Sequence, residues 1–417
     1  MTETRQIRLG RLFERRKILG FVDEPMLSVF REHGVVLKEK MVNHNQTAED
    51  RSIYQLVEPG WLAVNRMKAW QGSLGVSAHR GIMSGHYICF APRHSEHDRY
   101  LHYLLRSPRM TAHFAAISRG VRPGQIEIDN DQLAATPLDL PSTDEQRRIA
   151  DFLDDRVARI DQIITARDRQ TAHADERFTA ARRNLVLGLG GPTRRVSLPW
   201  AESVGVDWEV RRLSQLARIG TGHTPSRSEP DYWVECRIPW LTTSDVHKFR
   251  RDEIDRLDGT EANISELGLA NSAAVLHPAQ TVALSRTASA GFSIIMDRDM
   301  ATSQDFVTWT CGDGLNPEFL LHFLRAMRHY LLGYLSMGST HKTIYFPDLM
   351  DLRVAAPSAA RQRTAVEAVH ATAAERNRLI RTLTRQVDLL GEFKQSLITA
   401  AVTGELDVTT AGSGIPG

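Results

Sequence analysis

Cysteine is scarce in this chain. Its three copies, Cys89, Cys236 and Cys311, lie far apart and form no C-x-x-C pair. Neither a disulfide framework nor a zinc knuckle is indicated, and a reduced cytoplasmic setting is expected. Long apolar runs are missing too: nothing approaches the roughly 18–20 residues that a membrane helix needs, so no membrane association is expected. The opening MTETRQIRLG lacks the apolar stretch of a signal peptide. No charge sign dominates, since 52 Lys and Arg face 50 Asp and Glu, and the net balance announces no nucleic-acid partner. Locally, Arg5, Arg8, Arg11, Arg15, Arg16 and Lys17 crowd the first stretch against Glu3 and Glu14, a run that by itself reads as a solvated face.

Catalytic signatures are equally absent. Asn316-Pro317-Glu318-Phe319 imitates the N-P-P-[FY] motif of amino-methyltransferases without its second proline, and no glycine-rich cofactor loop precedes it. Asn316 as a helix cap, with Pro317 at the first helical position, accounts for the string. Gly333–Thr340 (GYLSMGST) imitates a P-loop, but Ser339 stands where the phosphate-binding lysine belongs. Asp231 with Glu235 and Arg237, and Asp348 with Asp351 and Arg353, are too tightly spaced for a nuclease site and lack its terminal lysine. No G-x-S-x-G elbow and no H-E-x-x-H helix occur. Nothing in the sequence needs an enzyme, and no metal site is expected.

What the chain does contain is a duplication, two diverged copies of one plan offset by roughly 216 residues. Tyr100–Ser107 (YLHYLLRS) matches Phe319–Ala326 (FLLHFLRA), and Ile117-Ser118-Arg119-Gly120 matches Leu335-Ser336-Met337-Gly338. Ile126–Pro141 then matches Ile344–Pro357, and the fifth residue after each proline is a glutamine, Gln146 and Gln362. Ile163-Ile164 pairs with Leu379-Ile380, Glu176 with Glu392, and Val186-x-Gly188 with Val402-x-Gly404. The openings agree as well, Leu9-x-x-Leu12 against Leu213-x-x-Leu216. A single such match would be chance; a collinear series is not.

Each copy divides into a turn-rich globular part and a long helix. In the first, Ser142 is the expected cap, with Glu145 completing a capping box. An apolar stripe follows at Ile149, Leu153, Val157, Ile160 and Ile164, spaced for one helical face, and the helix ends near Gly188-Leu189-Gly190-Gly191-Pro192. In the second, Val369, Ala373, Arg376, Ile380, Leu383, Val387, Leu390, Lys394, Leu397 and Ala401 alternate steps of four and three, a heptad seam with two charged interruptions. Some 40 residues make a rod of roughly 60 Å. Such a rod needs a partner along its apolar side, and the other helix of the same chain, packed antiparallel, is the obvious one. A purely intramolecular spacer would also satisfy the pattern. The expected fold is α+β: a globular domain over 1–141, a helix over 142–190, a linker over 191–207, a second globular domain over 208–357, a second helix over 358–404 and a flexible tail over 405–417.

Four strings resemble the specificity subunits of type I restriction–modification systems. They are Leu140–Ile149 (LPSTDEQRRI) with Phe152-Leu153-Asp154; Ile219–Ser226 (IGTGHTPS) with Tyr232-Trp233 and Ile238-Pro239-Trp240-Leu241; Gly338-Ser339-Thr340; and Glu392–Gly404 (EFKQSLITAAVTG). The first has Ser142 where the family has a second proline. The first copy has no G-x-T-P-S opening and carries Gly120-Val121-Arg122 in place of G-S-T. The resemblance implies two target-recognition domains separated by two long antiparallel coiled-coil helices, related by a pseudo-twofold repeat. Each domain would read half of a bipartite, asymmetric site in double-stranded DNA, with half-sites about one helical turn (~34 Å) apart. The helices would dock two methyltransferase subunits and, through the complex, restriction subunits. S-adenosylmethionine, ATP and magnesium would be used by those partners, with no cofactor in this chain.

Base reading needs donors and acceptors aimed into the major groove. The second domain offers Thr221, His223, Thr224, Ser226, Arg227, Thr242, Thr243, Ser244, Arg286, Ser339, Thr340, His341 and Lys342; the first offers Arg66, Lys68, Trp70, Arg80, Arg119 and Arg122. Arginines suit guanine, while hydroxyls and lysines suit phosphates. Trp233 and Trp240 read as core. Two alternatives stay open at this point: a subunit of a related system whose partner fuses methylation and cleavage, and a coiled-coil scaffold whose lobes bind protein.

Overall fold

The computed structural model describes residues 4–40, 50–122, 125–337 and 343–409. The chain forms two compact units, one of residues 1–168 with 384–417 and one of residues 169–383. Each holds one globular part, part of the first long helix (Thr143–Leu187) and part of the second (Ala359–Thr403).

In the first unit, strands Phe13–Arg15, Tyr87–Pro92, Leu62–Asn65 and Leu74–Val76 make an antiparallel sheet in that order. Side chains alternate across a strand, and both faces are covered. Leu62, Val64, Ile88 and Phe90 join Tyr100, Leu101, Leu104 and Leu105 of helix Asp98–Arg106 in one core. Ala63 and Cys89 point the other way, onto Leu27, Val57, Trp61 and Met83. In the second unit the sheet has five strands, Ala217–Thr221, Phe306–Cys311, Val282–Ser285, Ser293–Met296 and Arg256–Leu257. Val282, Leu284, Val307 and Trp309 pack on Phe319, Leu320, Phe323 and Leu324 of helix Pro317–Ala326, while Ala283, Ile294, Met296 and Phe306 cover Val246, Phe249 and Leu257.

The duplication is structural as well as sequential. Arg5–Arg8 pairs with Pro137–Leu140 in the first unit, and Glu209–Arg212 pairs with Arg353–Ala356 in the second, each antiparallel. Between them both units run through two consecutive helices (Asp98–Arg106 and Pro108–Ala116; Pro317–Ala326 and Arg328–Gly333), then a β-ribbon (Ser118–Arg122 with Gln125–Ile128; Ser336–Met337 with Thr343–Ile344) and a short helix (Asn130–Ala135; Phe346–Met350). The matched glutamines do one job twice. Gln146, fully buried, donates to Pro141 O at 3.0 Å and accepts from His97 N at 2.9 Å, just before helix Asp98–Arg106. Gln362, also fully buried, donates to Pro357 O at 2.8 Å and accepts from Asn316 N at 2.8 Å, just before helix Pro317–Ala326. One side chain thus ties the start of a long helix to the start of a domain helix.

Within each unit the long helices run antiparallel. In the first, Ile149, Ala150 and Leu153 share a core with Ile398, Ala401 and Val402, with Val157 and Leu397 at its edge. In the second, Phe178, Val186 and Leu187 share one with Ala365, Val366 and Val369. Along the seam Ile160 and Leu383 are buried, and Ile164, Ile380, Val387 and Leu390 are partly buried. Both charged interruptions meet an aspartate of the first helix: Lys394 Nζ reaches Asp161 at 2.6 Å, and Arg376 Nε reaches Asp175 at 2.6 Å while lying over the Phe178 ring. Oppositely charged seam pairs of this kind favour one register over slipped ones.

Several boundaries differ from the sequence expectation. Ser142 caps the first helix through Glu145 N at 3.3 Å, but the Glu145 carboxylate holds Arg148 instead of closing a capping box. That helix stops at Leu187 because Gly188 turns left-handed (φ 68°), and a Cβ there would meet the Trp208 ring at 2.7 Å. The expected linker over 191–207 is a hairpin, Thr193–Leu198 with Ala201–Gly205; Trp200, Ala201 and Val204 join the second unit's core. Gly404 (φ 76°) stops the second long helix. The expected flexible tail begins ordered, since Leu406 N donates to Ala400 O and Val408 packs against the first unit's core; residues 410–417 lie outside the described ones. No helix among the described residues is long and apolar enough to cross a membrane.

Candidate nucleic-acid interface

In the second unit the turn Thr302–Phe306 is a hub for the predicted polar residues. Thr221 Oγ1 donates to Phe306 O at 2.9 Å, His223 N to Thr302 O at 3.0 Å, and Thr224 Oγ1 to Gln304 Oε1 at 2.8 Å. Arg286 Nε donates to Gln304 O at 2.9 Å, and Ser303 N to Leu241 O at 2.9 Å, which brings Thr242, Thr243 and Ser244 alongside. Gly222 has a definite reason to be glycine: a Cβ there would fall 1.8 Å from Thr302 O. The G-x-T-P-S string is therefore a close backbone approach that presents His223 and Thr224 beside the turn.

The remaining predicted residues divide. Thr242 Oγ1 lies 2.7 Å from Ser244 Oγ, and its backbone N–H donates to Asp245, so this segment is a capped turn with Ser244 exposed. Ser226 is hydrogen-bonded to Ser228, and Arg227 lies over the Trp233 ring. Trp240 is core as expected. Trp233 is only partly buried, edge-on to Trp240, and donates to Ser226 O at 3.0 Å. Ser339, Thr340, His341 and Lys342 lie outside the described residues. Ile344 N does reach Arg286 O at 2.8 Å, tying the ribbon Ser336–Met337/Thr343–Ile344 to the hub.

In the first unit Arg66 and Arg119 converge on Glu127. Arg66 Nε donates to it at 2.6 Å, and Arg119 is its cross-strand partner and exposed. Lys68 is exposed next to Trp70, whose indole N–H is taken by Met67 O at 3.0 Å. Arg80 does not share this cluster's carboxylate: Glu24 and Glu58 hold it, and it covers the Phe21 ring. Arg66 and Arg80 are thus engaged by carboxylates and must exchange them to reach a base. The backbone of Arg122 lies in the ribbon, and its side chain is outside the described atoms.

Sequence reasoning missed two groups of residues. Exposed Gln304 and partly buried Asp305 sit at the hub's tip, and only tertiary pairing brings them to Thr224 and Arg286. Behind the sheet, where helix Pro317–Ala326 meets the long helices, lies a buried charge cluster. Asp252 faces Arg182 at 2.8 Å, Arg328 at 2.6 Å and Arg325 at 3.4 Å. Burial alone would raise the Asp252 carboxyl, but Arg325, Arg328 and Arg182 outweigh it and hold it at about 2. Next to it Asp255 is bonded to Arg325 and stands beside His322 and His370. Burial pushes His322 down to about 3, so its imidazole is neutral. On an isolated bridge to Met300 beside the sheet, buried His277, next to Thr308, is pushed to about 4 by burial.

Two diverged copies of one α+β unit, each closed by parts of the same antiparallel helix pair, define a tandem-unit protein with polar turns at its sheet ends. The chain belongs to the type I restriction modification DNA specificity domain family, whose sequence model matches residues 67–170 and 205–389. It is similar to the type I restriction enzyme MjaIX specificity subunit of Methanocaldococcus jannaschii, 28% identical over 159 residues, which are 38% of this chain and 36% of that one. It is also similar to the HindI specificity subunit of Haemophilus influenzae, 24% identical over 153 residues, covering 36% of this chain and 32% of that one. The chain thus aligns with about a third of the length of these curated relatives. In fold it resembles a chain solved in a study of complex assembly and conformational transition of the type I restriction–modification system, with a TM-score of 0.70 and 17% identity over 97% of this chain and 98% of that one. The HsdS subunit from Thermoanaerobacter tengcongensis matches with a TM-score of 0.52 and 16% identity over 97% of both chains.

Proposed function

We propose that this protein selects the DNA sequence on which a type I restriction–modification complex acts, each unit reading one half of a bipartite, asymmetric site. The observation that carries the reading is where the two copies agree and where they differ. Opening strand, the order of four central sheet strands, paired helices, ribbon, short helix and glutamine clasp recur in both, whereas the described segments outside this frame differ: Leu27–Phe30 pairs with Gly34–Leu37 in the first unit, while Ile238–Leu241, Ala262–Ile264 and Ala301–Thr302 form a mixed sheet in the second. A conserved frame with a divergent insert suits two readers mounted alike but addressed to different bases. In the second unit Arg286, Gln304, His223 and Thr224 supply base-edge chemistry, and Thr221, Ser226, Arg227, Thr242, Thr243 and Ser244 supply phosphate or backbone contacts. In the first, Arg66, Arg119, Lys68 and Trp70 form the reading cluster, with Arg80 as a separate contact.

The protein performs no chemistry of its own in this reading. It acts in the cytoplasm, where two methyltransferase subunits dock on the long helices and restriction subunits join through them. S-adenosylmethionine, ATP and magnesium belong to those partners. Support comes from apolar side chains that the second long helix leaves exposed, Leu379, Leu389 and Phe393. N6-methyladenine mapping of the source genome, with and without this gene, tests the proposal. Loss of one gapped, asymmetric motif is expected; an unchanged methylation map, together with no methyltransferase co-purifying, would refute it.

A further inference from the structure

His322 lies on helix Pro317–Ala326, His370 on the second long helix and Asp255 on the loop before strand Arg256–Leu257. Although up to 115 residues apart in sequence, they bring three lone-pair atoms to one point. His322 Nε2 is 3.3 Å from His370 Nε2, His370 Nε2 is 3.2 Å from Asp255 Oδ2, and His322 Nε2 is 3.7 Å from the same oxygen. Hydrogen bonding accounts poorly for this trio. If both imidazoles carry a proton on Nε2, two N–H groups crowd each other at 3.3 Å over one carboxylate oxygen, and if only one does, it can serve one acceptor; the His322 contact at 3.7 Å is in either case too long for a hydrogen bond. Metal coordination accounts for it well. Ligand atoms at about 2.0–2.1 Å in tetrahedral array are ~3.3–3.4 Å apart, and the trio's spacings of 3.2, 3.3 and 3.7 Å bracket that value.

We propose that Asp255, His322 and His370 bind a divalent transition-metal ion of the zinc class, clasping the second globular domain to the second long helix. Two imidazoles and one carboxylate are a donor set that such ions prefer over magnesium or calcium. Arg325 holds the other carboxylate oxygen, Asp255 Oδ1, which turns Oδ2 toward the imidazoles in the manner of an outer-shell partner. Access exists from one side: His322 is 3% exposed, while the Asp255 and His370 side chains are 27% and 45% exposed. A water entering from that side would complete four-coordination. Among the described residues, no other trio of histidine, cysteine or carboxylate groups converges in this way. The site is independent of how the chain reads DNA.

The test uses the full chain, stripped with a chelator and titrated with zinc chloride by calorimetry, then with cobalt chloride by visible absorption. One ion per chain is expected, with the intense visible bands of four-coordinate cobalt. Zinc should raise the melting temperature of the wild-type protein. His370→Ala removes an exposed ligand and should weaken binding by at least ~100-fold and abolish the zinc-dependent melting shift, with an unchanged circular dichroism spectrum. His329→Ala, an exposed histidine on the neighbouring helix, should bind as wild type. Absence of saturable zinc binding by the wild type, or equal affinity in His370→Ala, would overturn the proposal and leave the trio a polar contact.

Discussion

The glutamine clasp of the second unit can be taken apart one group at a time. Replacing Gln362 with leucine keeps the volume and removes three hydrogen bonds: from Asn316 N at 2.8 Å, and to Pro357 O at 2.8 Å and Gly314 O at 3.0 Å. These groups are not equally costly. Pro357 is buried, so its carbonyl loses a partner without gaining water; Gly314 is exposed and rehydrates; Asn316 is intermediate. At ~1–3 kcal/mol for a stranded buried group and little for an exposed one, the sum is about 2–4 kcal/mol. Gln362→Glu should be worse, because its carboxylate still accepts from Asn316 but sets charge against two carbonyl oxygens. The assay is urea unfolding followed by tryptophan fluorescence, since Trp200, Trp208, Trp233, Trp240 and Trp309 all lie in this unit. With an m-value of ~2–3 kcal/mol/M, the midpoint should fall by about 1 M for leucine and further for glutamate. A leucine variant within ~0.2 M of wild type, or a glutamate variant as stable as the leucine one, would show that the clasp does not hold helix to domain and refute the reasoning.

Other outcomes follow from the same packing. Asp252→Asn is nearly isosteric and tolerates the left-handed backbone at that position (φ 56°), yet it leaves Arg182 and Arg328 without a carboxylate and Arg325 with Asp255 alone; chemical denaturation should show a loss of ~3–5 kcal/mol, whereas exposed Asp258→Asn should show none. Because His277 is held neutral with a folded-state value of about 4, below its ordinary 6.5, its contribution is present above pH 6.5 and lost as pH falls toward 4. Unfolding free energy should therefore drop across that window by up to ~3 kcal/mol, and His277→Gln should flatten the slope. Gly222→Ala forces a Cβ into Thr302 and should abolish recognition of one half-site in a binding-site selection while the other half-site is still read; simultaneous change in both would break the assignment of one unit per half-site. Leu383→Lys puts a charge into the buried helix seam and should prevent co-purification of a methyltransferase; an intact complex would count against the helix pair as docking platform.

Much of the fold was legible in the sequence for local reasons. Periodicity reports helix faces, so the stripe Ile149–Leu153–Ile160 and the seam Val369–Leu383–Ala401 lie buried as their spacing implied. Glycine and serine punctuate chains through backbone geometry, so the stops at Gly188 and Gly404 and the cap at Ser142 could be placed to within a residue or two. The hairpin over 193–205 was not visible, because its glycine- and proline-bounded approach reads as linker and only Trp200 and Val204 reveal a buried face. Of the binding residues, those inside motif strings could be named, whereas Gln304 and Asp305 carry no signal until strand Phe306–Cys311 pairs with Ala217–Thr221.

By itself the sequence determined the duplication, the α+β class and the existence and apolar seam spacing of two long helices, because each rests on repetition or on interactions between residues a few positions apart. It also supplied the positions of Gln146 and Gln362, though not their task. Tertiary structure alone decided which groups from distant segments share a neighbourhood: the clasp partners His97 and Asn316, the Asp252 cluster, the turn that gathers Thr221, Thr224 and Arg286, and the convergence of Asp255, His322 and His370. Those pairings depend on strand order and on how each domain seats against its helices. No local pattern along the chain encodes that seating.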